Sequence, residues 1–198
     1  MNKMQIKDYF SVGIDLASQN LLVLLVNYII YIALCIAFGV TIVGILGIPG
    51  LTYGYTKMLI AVSRGEDVDF GEYMFAGFKD GNWLRALAFS LLSLIGVLLG
   101  LCLFVIPGVY LMLVWTFGFY VCVDHGFNAR KSLAESQRLI RNLGLHKIVI
   151  TWLVFSLLIP LTLNVVPIMG TIASFLLPPL TSMIYLALYN STQDQTHE

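Results

Sequence analysis

The sequence predicts an all-α fold: a polytopic membrane bundle of about six transmembrane helices, arranged as three hairpins, each preceded by an interfacial amphipathic helix. Composition is the first observation behind it. Of 198 residues 59% are hydrophobic and only 11% are charged, where an ordinary soluble domain carries about 25% charged side chains. The second is charge placement. Leu16–Thr56, Ala86–Val123 and Ile148–Gln193 contain no Asp, Glu, Lys or Arg. Each is about forty residues long, and one membrane-crossing helix needs about 20, so each stretch holds two spans. The third is a repeated helix breaker. Ile48-Pro49-Gly50 recurs as Ile106-Pro107-Gly108, and Val166-Pro167-Ile168 is a weaker third copy, at intervals of about 60 residues. Proline fits the first turn of a helix, where its missing N–H leaves no bond unmade. Pro49, Gly50, Pro107, Gly108 and Pro167 therefore read as hairpin turns between spans.

A second marker keeps the same step: Asn20, Asn82 and Asn142 each precede a strongly apolar segment. Upstream, "DYFSVGI" (Asp8–Ile14) resembles "EYMFAGF" (Glu72–Phe78), with an aromatic after the acid and a glycine further on. These agreements predict one membrane domain over residues 1–198 built from three pseudo-repeats, about 5–63, 69–123 and 128–190.

Taken in order, the first unit opens with an amphipathic segment in which Ile6, Phe10, Gly13, Ile14 and Ala17 share a face. Spans follow at Leu21–Leu46 and Pro49–Val62; the second is short, and a turn near Gly39 would lengthen it. In the second unit Asp69 is placed to cap a helix, with Glu72 three residues on. Phe70, Tyr73, Met74, Gly77 and Phe78 form its apolar face, and spans follow at Trp83–Phe104 and Pro107–Val123. The third unit begins with a helix over about Asn128–Leu143. Leu133, Ile140 and Leu143 lie on one side, Lys131, Arg138 and Arg141 on another. Spans at Ile148–Leu163 and Val165–Tyr189 complete it. Such surface helices fit either in the headgroup layer, cations towards anionic lipid, or beneath the bundle as joints.

All eleven basic residues fall on one side of this arrangement. The positive-inside rule then places both termini and both long connections in the cytoplasm of a bacterial cell, with the chain in the cytoplasmic (inner) membrane. The N-terminus shows no removable signal peptide, and the first span would target the chain. Cys35, Cys102 and Cys122 have neither metal-ligand nor redox spacing and read as small buried hydrophobes.

Functional classes narrow by what the spans lack. None carries an ionisable group at mid-depth, which argues against an ion-coupled pump. No H-E-x-x-H, G-x-S-x-G or phosphate-binding glycine loop occurs, and Asp124-His125 splay about 100° apart on a helix. No catalytic, cofactor or metal site is expected, and no nucleic acid. Gly50/Gly54 and Gly96/Gly100 have the spacing of close helix packing within the bundle, or else of a dimer. Pro178-Pro179 removes two helix hydrogen bonds at mid-depth, which reads either as a packed kink or as a groove.

The segments "RGEDVDFGEYMFAGFKDGN" and "LFVIPGVYLMLVWTFGFYVCVDHGFNARKSLAESQRLI" carry a family resemblance. They resemble bacterial multi-pass proteins related to the membrane domain of some glycerophosphodiester phosphodiesterases. The likeness rests on an R-G-E turn, a surface helix ending in G-F-K, and I-P-G before a span, and covers about Arg64–Leu143. It implies an architecture and no substrate; the phosphodiesterase domain itself is absent.

The functional expectation is a non-enzymatic scaffold or accessory subunit. It would organise lipids or partner proteins through a cationic cytoplasmic face made by Lys79, Arg130, Lys131, Arg138 and Arg141. Its partners would be the bilayer, with anionic headgroups, and a membrane protein or a second copy of the chain. The alternative is a small transporter, channel or lipid-translocating protein with a groove at Pro178-Pro179.

Overall fold

A computed structural model describes residues 6–154, 159 and 167–194. The described residues are helical, with no strand. Helix α1 (Ile6–Gln19) runs through Asn20 into α2 (Leu21–Gly39). A one-turn helix, α3 (Ile42–Ile45), leads to the returning α4 (Ile48–Ser63). Next come α5 (Phe70–Met74), a 3₁₀ turn at Ala76–Phe78, and the long α6 (Asn82–Leu103). Helices α7 (Val105–Val114) and α8 (Gly118–His125) return, α9 (Ala129–Leu143) and α10 (Leu145–Trp152) follow, and α11 (Pro167–Asp194) closes the description.

Among the described residues three segments are long and apolar enough to cross a membrane: α2 with 19 residues, α6 with 22, and α7–α8 taken together with 21. Several expected boundaries move. The span expected over Leu21–Leu46 ends at Gly39 because Thr41 turns extended and starts a new helix; its Oγ1 accepts the Gly44 N–H at 3.0 Å. The return expected over Pro107–Val123 begins at Val105, after an extended Phe104, and is interrupted at residues 115–117. There Trp115 N–H closes on Leu111 and Gly118 N–H on Trp115. That turn swings Phe117 into the core, fully buried and edge-on to Tyr189 at 5.8 Å. The surface helix after Asp69 has its cap, since Asp69 Oδ1 accepts Gly71 N–H at 2.8 Å and Glu72 N–H at 3.4 Å. It does not run on as one helix. Gly77 lies directly against the Gly50 carbonyl of α4, and the chain tightens into the 3₁₀ turn there. The far half of the expected Ile148–Leu163 span and the turn before Pro167 lie outside the described residues.

Helix α4 is the hub. It touches α2, α5, α6, α8 and α11, and Leu51, Met58 and Leu59 on it are almost wholly buried. Tyr31 of α2 stacks on Tyr55 of α4 with centroids 4.6 Å apart and shares a hydrogen bond with Thr52 at 3.0 Å. The α6–α7 hairpin closes where Gly100 faces Gly108: a Cβ on Gly100 would stand 2.9 Å from the Gly108 Cα. Only two residues lacking side chains allow helices to approach this closely.

Candidate functional site

Two features stand at the polar end of the helices. The first is a junction. Arg64, the residue that ends α4, reaches across to Asp124 in the last turn of α8. Its Nη1 donates to Oδ1 at 2.8 Å and its Nη2 to Oδ2 at 2.7 Å. This fork-to-fork pairing is the geometry in which guanidinium and carboxylate bind most specifically. Tyr189 of α11 donates its hydroxyl to the same Oδ2 at 3.0 Å. Beside it, Asn190 donates to the Ser63 hydroxyl at 3.2 Å, and Tyr53 donates to the Val123 carbonyl at 3.4 Å. Helices α4, α8 and α11 are thereby tied at one point. The Asp124 side chain is 8% exposed and that of Arg64 is 40% exposed. The hydrogen bond to Asp124 holds the Arg64 guanidinium above its ordinary pKa, with partial burial opposing. A cavity of about 200 Å³ opens next to the pair, bordered by Lys57, Glu66 and Tyr73.

Asp124 is thus committed to Arg64. His125, the neighbour in sequence, turns away and packs on Phe127 with ring centroids 5.2 Å apart. Neither Arg64, Asp124 nor Tyr189 stood among the expected site residues. A signal for two of them was present: Arg64 and Asp124 are 60 positions apart, the same step as the repeated prolines.

The second feature is α9. Ser132, Leu133, Ser136, Leu139, Ile140 and Leu143 form its buried face, and Ser136 Oγ donates to the Val114 carbonyl at 2.8 Å. Its apolar side is therefore covered by protein, as a joint beneath the bundle, and is not the side available to lipid. The other side carries Arg130, Lys131, Arg138 and Arg141, all exposed. The Lys131 ammonium sits over the Phe127 ring at 3.4 Å, and Arg138 makes a loose pair with Glu135 at 3.6 Å. Arg141 in the last turn also complements the negative end of the helix dipole. Lys79, exposed after the 3₁₀ turn, belongs to a different element.

The remaining expected positions fall as follows. Pro49 stands in the first turn of α4, and Pro107 in the first turn of α7. Pro167 is the first residue of α11. Pro178 and Pro179 lie inside α11, whose helical path continues through them; Pro179 is buried. Thr181 and Ser182 donate their hydroxyls to the carbonyls of Leu177 and Pro178 at 2.6 and 2.9 Å. These are i→i−4 back-bonds within the turn that follows the prolines, and the carbonyls that lose their N–H donors to Pro178 and Pro179 are those of residues 174 and 175.

Comparison with protein-family models, curated proteins and solved structures finds no match for this chain.

Proposed function

We propose that this chain is a non-enzymatic, multi-pass protein of the bacterial cytoplasmic membrane. It acts as a scaffold or accessory subunit that gathers anionic lipid or partner proteins along its cationic cytoplasmic face. The observation that carries the reading is α9: one face is buried in the bundle, while four cations stand exposed on the other. Cations on a rigid, packed helix at the membrane edge attract anionic headgroups, each contributing about 1 kcal/mol near the surface.

The proposed architecture is six spans in three hairpins with both termini cytoplasmic. Its support is the seating of the surface helices. Helix α5 and the 3₁₀ turn sit on α4, α9 sits on α8, and α1 sits on α11. Each surface helix packs on the returning helix of the preceding unit, and the first closes on the last. A small residue marks each seat: Gly77 against Gly50, Ser136 against Val114, and Gly13 against Ile184, whose Cα would be 2.7 Å from a Cβ there. The relationship to the phosphodiesterase-associated membrane proteins is proposed on the motifs between Arg64 and Leu143.

Brominated lipids that quench tryptophan fluorescence test the lipid reading in reconstituted vesicles. The wild type is expected to prefer brominated phosphatidylglycerol over brominated phosphatidylcholine. In Lys131→Gln/Arg138→Gln/Arg141→Gln the preference falls to parity. A triple variant that keeps the wild-type preference overturns the reading.

A further inference from the structure

A crevice of about 700 Å³ runs between the start of α6 and the start of α9. Its rim is cationic: Arg85, Arg130 and Lys131 border it, with Asp80 as the one acidic group. Its floor is apolar, formed by Leu84, Ala88 and Leu92, one turn apart along α6. The crevice thus joins cationic groups at the starts of α6 and α9 to an apolar stripe that runs on along α6 to Leu92, the pairing that an amphipathic molecule presents.

The rim is built for an anion. Arg85 is half-buried and donates one Nη1 hydrogen bond to Asn82 at 2.9 Å; a guanidinium has five N–H donors, so others remain for a ligand. Among the described residues neither Arg130 nor Lys131 makes an ion pair. Asn128 precedes α9 without a side-chain cap, and the first helical bond runs from Ser132 N–H to the Asn128 carbonyl. The N–H groups of residues 129–131 therefore have no partner within the helix, and the positive end of its dipole adds to the three cations. The floor belongs to a helix long and apolar enough to cross a membrane, with Leu84 61% exposed.

From this juxtaposition of a tricationic rim above an apolar stripe, we infer that the crevice is a specific site for one anionic phospholipid, its phosphodiester on the rim and an acyl chain along Leu84, Ala88 and Leu92. The assignment rests on the proposed lipid-organising role and sharpens it from a diffuse attraction to one bound molecule. The lipid binds as an intact amphiphile. A soluble phosphate ester shares the headgroup chemistry and lacks the tail.

Native mass spectrometry of the full chain in detergent, titrated with phosphatidylglycerol, tests it. The wild type retains one tightly held lipid. Ala88→Trp fills the floor without changing charge, and Arg130→Gln/Lys131→Gln removes two of the three rim cations without touching the core; each weakens retention about tenfold. Arg138→Gln/Arg141→Gln, outside the crevice, leaves it unchanged. Glycerol 3-phosphate does not displace the lipid, and diacylglycerol is not retained. Wild-type retention in both crevice variants overturns the site. Displacement by glycerol 3-phosphate at equal concentration reassigns it to soluble phosphate esters, and equal retention of diacylglycerol removes the headgroup from recognition; either result overturns the proposal. Crevice variants that bind normally, together with an Arg138→Gln/Arg141→Gln variant that loses the phosphatidylglycerol preference, sink the crevice and keep the surface reading. The reverse pattern sinks the surface reading and keeps the crevice.

Discussion

Helices α4 and α6 lie side by side, both apolar, in opposite surroundings. Twelve of the sixteen residues of α4 are buried, against three of twenty-two in α6. The more buried helix is the more polar one. Helix α4 holds Thr52, Tyr53, Tyr55, Thr56 and Ser63, whereas α6 shows Leu84, Leu91, Leu94, Leu98, Leu99 and Leu103 outward. In water this ordering would be perverse. In the proposed bilayer it follows directly, because lipid tails solvate leucine as well as a protein core does. Small and hydrogen-bonding side chains then hold helices together.

The contrast breaks most decisively at a backbone contact. A Cβ on Gly54 would collide with the Met74 carbonyl, and neither main chain can yield. Gly54→Leu is expected to abolish a monodisperse folded species in size-exclusion chromatography, while Leu98→Ala in α6 elutes as wild type. A monodisperse Gly54→Leu protein would remove α4 from its place as hub.

Next in size is a cavity. Leu59 is 2% exposed, so Leu59→Ala should cost about 2–5 kcal/mol in reversible denaturation, the range for buried leucine truncations. The junction comes third and is asymmetric. Arg64→Ala strands an Asp124 side chain that is 8% exposed, and should cost about 1–2 kcal/mol. Asp124→Ala returns a 40% exposed arginine to water at little cost but also strands the buried Tyr189 hydroxyl, and should cost more, about 2–3 kcal/mol. A loss no larger than that of Arg64→Ala would show that the Tyr189 bond adds nothing to the junction. Smallest is Leu98→Ala itself, at 50% exposure, expected within about 0.5 kcal/mol of wild type in the same assay.

Sequence pattern carried the helical class, the three long apolar helices and the Asp69 cap, because each depends on neighbours within one or two turns. It also placed Pro49 and Pro107 beside the turns, since proline's constraint is local. It did not reveal which apolar helix is central. Hydrophobicity cannot separate lipid from protein as surroundings, and the segment over Pro49–Val62 read only as a short span. The interruption at residues 115–117 was equally hidden, since it exists to place Phe117 against Tyr189, a residue far along the chain. The junction needed three helix ends to meet. Arg64 and Asp124 showed only their spacing, and Tyr189 showed nothing. For α9 the periodicity defined two faces correctly but could not say whether protein or lipid covers the apolar one.

The seating of α1 on α11 has a consequence for synthesis. Helix α1 leaves the ribosome well before the surface that receives Gly13, the backbone at Ile184 in α11. Until then α1 touches only the neighbouring α2 among the helices it packs on, and its apolar residues need shelter from membrane or chaperone. Helix α1 is in effect a latch that engages only once α11 has been made, so a chain stalled before α11 carries an unlatched helix that quality-control proteases can recognise.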